Sequence, residues 1–176
     1  ILGRKKVSSI KLKIKKILSK LYKRLNFPNT CFVHRDYHVL NLMKVGKRIG
    51  VIDSQDALIG NPSYDLVSLI DDARIKTSQK LKKQIYGHYL KKAPKIYRAK
   101  SEKFLEDFNV LSVQRSLKII GIFSRLFKRD KKNKYLKMIP YVWRLLEIRM
   151  KSEIFLELKQ ILNNNISKKI RKRIIH

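Results

Sequence analysis

Residues 31–53 read CFVHRDYHVLNLMKVGKRIGVID, and the remainder of the chain falls into place around them. Leu42–Val45 and Arg48–Ile52 are short extended runs, and Gly46-Lys47 between them is a two-residue turn that predicts an antiparallel pair. A hairpin brings its outer ends together. Asn41 at the start of one arm and Asp53 at the end of the other therefore face one spot.

Two hard oxygen donors at one place, with Asp36 close by, suit magnesium carrying phosphate, because magnesium prefers oxygen and is held by few protein ligands. Asp36 is then free for another task. Phosphoryl transfer asks the protein to position groups and neutralise charge, with a catalytic Asp accepting the proton of the attacking hydroxyl. His-x-Asp-x-x-x-x-Asn followed by a strand ending in Asp is the catalytic-loop and metal-loop pair of kinase-like phosphotransferases, and His34, Asp36, Asn41 and Asp53 fill it. Taken singly, His-Arg-Asp also reads as a loop salt bridge and Asp53 as a turn residue. Spacing and hairpin together select the phosphotransferase site.

A chain of 176 residues with 44% hydrophobic residues suits one domain with a real core. No run of about 18 uncharged apolar residues exists, so no membrane span is expected. The N-terminal residues lack the succession of basic, apolar and small residues that marks a signal peptide, although the chain starts at Ile1. A single cysteine, Cys31, makes no internal disulfide and fits a small buried side chain in a reducing cytoplasm.

The net charge of +30 raises a different function class, a basic helical protein that binds nucleic acid. The lysines are spread along most of the chain with abundant Ile and Asn, as an AT-rich coding sequence produces, and no nucleic-acid-binding motif stands out. Nucleic acid is therefore expected only as a nonspecific partner.

Apolar residues at three- and four-residue steps from Val7 to Leu25 predict an amphipathic helix with a solvated lysine face, ended by Phe27-Pro28-Asn29. Cys31–Val33 reads as a short buried strand delivering the catalytic loop. Ser54 to Pro62 reads as a loop closed by Gly60-Asn61-Pro62. Ser63 is placed to cap a helix whose buried side is Leu66, Val67, Leu69, Ile70 and Ala73, with Asp65 in its first turn. Thr77 or Ser78 opens another helix with Leu81, Ile85, Tyr89 and Leu90 on one side, closed by Ala93-Pro94. A long helix runs from Ser101, with Phe104, Leu105, Phe108, Leu111, Leu117, Ile120 and Leu126 buried, to the charged run at Arg129–Lys134. A last helical region from Tyr135 to about Asn163 contains Pro140, which kinks it or starts a new helix. The basic tail from Ile166 is expected frayed or loosely docked.

HRDYHVLN together with VIDSQDALIGNPSYDLVSL resembles the aminoglycoside phosphotransferase superfamily, whose members share the bilobal protein-kinase-like fold and transfer the ATP γ-phosphate to small-molecule hydroxyls. Within it, VIDSQDA, YDLVSLIDDARI and QRSLKIIGIFSRLFKRDKKNKYL look most like the bacterial N-acetylmuramate/N-acetylglucosamine anomeric kinases of cell-wall recycling. The resemblance runs from about Cys31 to Trp143. It implies that Asp36 is the catalytic base and that Asn41 and Asp53 bind Mg2+, with ATP as donor. It further implies that Asp65 and His34 are scaffold residues of the catalytic loop and that Gln55, Asp56 and Arg115 face the sugar. Ser54 departs from the family in standing where an aromatic is usual. His38 stands where protein kinases carry Lys, Asp53-Ser54-Gln55 replaces their Asp-Phe-Gly, and no Ala-Pro-Glu segment follows, so a small molecule is expected rather than a protein substrate. Aminoglycoside, choline and homoserine kinases share the same loop chemistry, and fold does not select among them.

The fold class expected is α+β and mostly helical: residues 1–163 form the C-terminal lobe of a kinase-like fold, with the small hairpin carrying both loops, and 164–176 form a basic tail. A kinase-like N-terminal lobe needs roughly 60 to 80 residues, more than precede His34. No glycine-rich phosphate loop and no strand with a nucleotide-contacting Lys is seen, so the ATP-binding lobe is expected as a missing partner of the same polypeptide. If the basic charge is a nonspecific surface, duplex RNA of any sequence will bind at low salt. Its affinity will fall by about a thousandfold between about 50 and 200 mM salt in a filter-binding titration, whereas binding that survives favours the nucleic-acid class.

Overall fold

A computed structural model describes residues 4–172, with side chains from Val7 onward. The described chain divides into two compact units, one spanning Leu25–Arg115 and the other formed by the chain on either side of it.

In the Leu25–Arg115 unit the hairpin forms as its sequence predicts. β2 (Leu42–Val45) pairs antiparallel with β3 (Arg48–Val51) in the register Leu42↔Val51 to Val45↔Arg48. Gly46 takes φ +59°, the only positive φ in the turn, which matches the type II′ preference for Gly at the first central position. A second antiparallel pair was not foreseen. β1 (Cys31–Val33) is joined by β4 (Leu58–Gly60) within the stretch that reads as loop. Gly60 lies opposite Cys31, and a Cβ there would come 3.0 Å from Val33 Cγ2. Composition alone does not show that Leu58 and Ile59 find strand partners 25 and 27 positions upstream.

Four helices complete this unit: α2 (Tyr64–Ile70), α3 (Gln79–Lys92), α4 (Lys95–Ala99) and the first half of α5 (Ser101–Asp130). Phe104, Phe108 and Leu111 recur at helical spacing on α5 and close with Phe27, Leu66, Val67 and Ile70 into the core. Each such side chain contributes about 1.5–3 kcal/mol by leaving water. Leu105 lies off that stripe and is 42% exposed, so its expected burial does not hold. Leu81 is likewise 46% exposed, because Lys82 takes the inward place: its Nζ meets Asp71 Oδ1 at 2.7 Å, and Ser112 Oγ donates to Asp71 Oδ2 at 2.7 Å. Ser78 does cap α3, its Oγ accepting from Leu81 N. Ser63 does not cap α2 through its side chain; Asn61 organises that start, its Oδ1 accepting from both Ser63 N and Ser63 Oγ.

Asp107 of α5 is fully buried and ties this unit together. Its carboxylate accepts from Asn26 N (2.7 Å), Asn26 Nδ2 (3.0 Å), Phe27 N (2.9 Å) and Asn61 Nδ2 (3.0 Å), joining the segment before β1 to the turn before α2.

The other unit holds α1 (Arg4–Lys23), the second half of α5, α6 (Ile139–Arg149), α7 (Leu156–Asn165) and α8 (Lys168–Lys172). Ile17 and Leu21 of α1 are buried, while Val7 is 49% exposed. Pro140 sits in the first turn of α6, so it starts a helix and does not kink one, its missing N–H falling where no intrahelical partner exists. In the segment expected to be a frayed tail, α8 is anchored by Arg171, 4% exposed. Its guanidinium donates to Glu147 Oε1 (3.1 Å), Asn163 Oδ1 (2.8 Å) and the Ile166 carbonyl (3.0 Å) and lies over the Trp143 ring. Residues 173–176 of that tail lie outside the described residues.

Asp107→Ala leaves buried N–H groups without an acceptor, and we expect it to remove about 3–5 kcal/mol of unfolding free energy in urea. A loss below about 1 kcal/mol would mean that water replaces the carboxylate at no cost.

Candidate active site

The catalytic-loop sequence is held from beneath by Asp65 of α2. One oxygen accepts from His34 N at 2.6 Å and the other from Arg35 N at 3.0 Å, while Ser68 Oγ lies 3.4 Å from the Arg35 carbonyl. Two adjacent N–H groups can aim at one carboxylate because Arg35 adopts the left-handed region, φ +73°. A non-glycine residue there costs about 1–3 kcal/mol and persists only when its surroundings over-determine it. Burial pushes the Asp65 carboxyl above the usual carboxylate range, against the lowering effect of the two N–H donors. His34 is 3% exposed, and its Nε2 lies 3.0 Å from the Ile52 carbonyl. That carbonyl can only accept, so Nε2 carries the proton.

The same geometry reaches the metal-loop sequence. Asn41 closes a short 3-10 turn (Val39–Asn41) and donates from Nδ2 to the Asp36 carbonyl at 3.0 Å, while its own carbonyl accepts from Ile52 N at 3.1 Å. The hairpin ladder thus extends one step past Leu42↔Val51, with Asp53 immediately beyond. Asp53 is exposed with φ +70°, and Gln55 Nε2 donates to its Oδ1 at 2.7 Å. The donor chemistry fits magnesium: with its Nδ2 committed to Asp36, Asn41 has Oδ1 as its remaining hard donor, and Asp53 offers a solvated carboxylate. Among the described residues no three His, Cys, Asp or Glu side chains are placed to hold a metal ion by themselves. The pair therefore suits a cation that shares its shell with phosphate and water.

Asp56 is exposed, and its carbonyl accepts from the Arg35 guanidinium at 3.2 Å. Arg115 is buried and shares an electrostatic neighbourhood with Asp36, Tyr64, Asp72 and Arg74. Every candidate site residue named from the sequence lies in the Leu25–Arg115 unit; Gln55 meets Asp53, Asp56 meets Arg35, and Arg115 shares its electrostatic neighbourhood with Asp36. Two others were missed, Arg35, which spans from Asp65 to Asp56, and Asp72, 1% exposed, which accepts from Arg74 N at 2.9 Å; His38, noted in the sequence only as a departure from protein kinases, is 5% exposed. The run Asp71-Asp72-Ala73-Arg74 was the available signal, since charges at the end of an apolar helix need partners. Burial, followed by the Arg74 and Arg115 charges, pushes the His38 imidazole below its ordinary value of 6.5.

A model of the phosphotransferase enzyme family matches residues 11–99. The N-acetylmuramate/N-acetylglucosamine kinase of Caulobacter vibrioides is 35% identical over 135 residues, 74% of this chain and 36% of that protein. The proteins of the same name from Neisseria meningitidis and Pseudomonas aeruginosa are 46% and 40% identical over 116 and 123 residues, 62% and 66% of this chain and 34% and 35% of theirs. The chain spans about a third of the length of the curated relatives it matches.

The depressed His38 value has a consequence for stability. Below pH 6.5 the unfolded chain takes up a proton that the folded site resists, so this contribution is complete above 6.5 and is lost as pH falls toward the folded value. His38→Gln should flatten the decline of the urea midpoint between about pH 7.5 and about pH 5. Parallel declines in parent and variant would show that His38 takes up its proton as readily in the fold as outside it.

Proposed function

The chain belongs to the phosphotransferase enzyme family, and on that premise we propose that it carries the base and metal side of a kinase that phosphorylates an amino-sugar hydroxyl, the anomeric one. The observation that carries this reading is the side chain of Asn41. Its Nδ2 ties the Asp36 carbonyl while its backbone joins Ile52 next to Asp53, so the segments of the base and of the metal donors are tied to each other. N-acetylmuramate and N-acetylglucosamine are proposed as acceptors because the relatives' names carry both.

In this reading Asp36 accepts the proton of the attacking hydroxyl as the bond to the γ-phosphorus forms and the bond from that phosphorus to the β–γ bridging oxygen breaks, with ADP leaving. Asn41 and Asp53 would hold Mg2+, which would neutralise charge on the phosphates of ATP. Asp65 and His34 keep Asp36 from drifting, a positioning role that matters because misplacement of about 1 Å can cost about a hundredfold in rate. Gln55, Asp56 and Arg115 line the acceptor side. The matched stretches make up only about a third of the relatives' length, and we propose that the lobe cradling the ATP triphosphate lies outside these 176 residues, in a cytoplasmic enzyme that acts on recycled wall sugars. Among the described residues no helix is long and apolar enough to cross a membrane.

The test is an ATP-consumption screen of the protein with its upstream segment, offering both sugars, an aminoglycoside, choline and homoserine. We expect turnover of one or both sugars, a fall in kcat of about 10²–10⁴-fold for Asp36→Asn, and a raised magnesium requirement for Asp53→Asn. Turnover of the aminoglycoside but of neither sugar overturns the acceptor, and full activity of Asp36→Asn overturns the base.

A further inference from the structure

Beside Asp36, on elements other than the hairpin that presents Asn41 and Asp53, lie polar atoms that the fold does not satisfy. Arg115 is 5% exposed, and its Nη1 has no hydrogen-bond partner among the described residues. Asp72 is 1% exposed; its Oδ1 accepts from Arg74 N, with Arg74 Nη1 at 3.7 Å, and its Oδ2 has no partner among the described residues. His38 Nδ1 is in the same condition. The groups whose charges act on or are acted on by Arg115 are Tyr64, Asp36, Asp72, Arg74, Asp65 and His38, and those acting on His38 are Arg74, Asp72, Asp36 and Arg115. These groups therefore form one cluster, drawn from the catalytic-loop sequence, the start of α2, the connection after α2, and α5.

A buried guanidinium nitrogen without an acceptor and a buried carboxylate oxygen without a donor are expensive to leave so. Their needs are complementary, one asking for a negative oxygen and the other for an O–H or N–H. A carboxylate-bearing sugar offers both on one molecule, and Arg is the side chain whose fork suits a carboxylate. The cluster can be approached through neighbours that are themselves accessible: Asp36 and Tyr64 are half-buried, and Arg74 is exposed. We propose that Arg115, with Arg74 beside it, binds a carboxylate substituent of the acceptor, and that Asp72 receives a hydroxyl or amide proton of the same molecule. The site thereby discriminates an acidic amino sugar from a neutral one. The inference rests on the sugar-kinase reading for its ligand, but not for its geometry.

Equilibrium binding of N-acetylmuramate, of its methyl ester and of N-acetylglucosamine to the protein with its upstream segment reads the cluster without any turnover. We expect the free acid to bind about 10- to 100-fold more tightly than the ester, the range for a charge-assisted contact. Arg115→Met should reduce that ratio to near one, and Arg74→Gln, a change at an exposed side chain, should reduce it in part should the buried variant fail to fold. Acid preference without phosphorylation of either sugar would uphold this inference while overturning the kinase assignment. Phosphorylation of both sugars with equal affinity for acid and ester would do the reverse, and would mean that enclosed water satisfies the cluster.

Discussion

The carboxylate of Asp65 is the interaction on which the site depends. It accepts the backbone N–H groups of His34 and Arg35 together, which requires the left-handed backbone at Arg35 and so sets the direction in which the chain enters Asp36. From there each contact follows from the one before. The His34 ring reaches the Ile52 carbonyl, Asn41 reaches back to the Asp36 carbonyl, and the last step of the hairpin leaves Asp53 at its mouth. Both oxygens of the carboxylate that holds this turn are engaged, one by each N–H. The burial that raises its pKa reflects the same placement, a charge withdrawn from water to serve as a fixed strut.

Charge is used unevenly in this molecule. Forty-three Lys and Arg face 13 Asp and Glu, so nearly any exposed acid would find a cation nearby and contribute little, as solvated pairs do. Several of the scarce acids are instead placed inside. Asp107 gathers four N–H donors, Asp71 pairs with a buried Lys82, and Asp72 holds the backbone after α2, while the half-buried Asp65 braces the loop. Replacing a buried partner is costly, because the survivor keeps its charge without compensation. The basic surface and the specific interior are thus separate matters, and the net charge of +30 says little about how the site is built.

The candidate site residues named in advance share a property: their spacing along the chain is set by local structure. His34, Asp36, Asn41 and Asp53 stand at intervals set by one turn and one hairpin, and the period-two geometry of paired strands converts those intervals into proximity. Helix positions were legible for a similar reason, since apolar recurrence at three and four residues marks a face, and Ser78 and Pro140 mark starts. Where that reading failed, at Leu81, Leu105 and Ser63, a partner from elsewhere decided the outcome. Lys82 turned inward toward Asp71, and Asn61 took the capping task.

By itself the sequence determined the hairpin, the helical periods and the order of the loop residues, because each depends on neighbours within a few positions. Only the tertiary structure decided that Leu58–Gly60 pairs with Cys31–Val33, that Asp107 binds the segment 80 residues before it, and that Asp72, Arg115 and His38 share one charged cluster. Those contacts join residues far apart along the chain, and no local rule of spacing or periodicity encodes which distant polar atom a buried charge will meet. What enforces them is the cost of leaving a buried donor or acceptor unpaired, and that cost is defined only once the chain has closed around it.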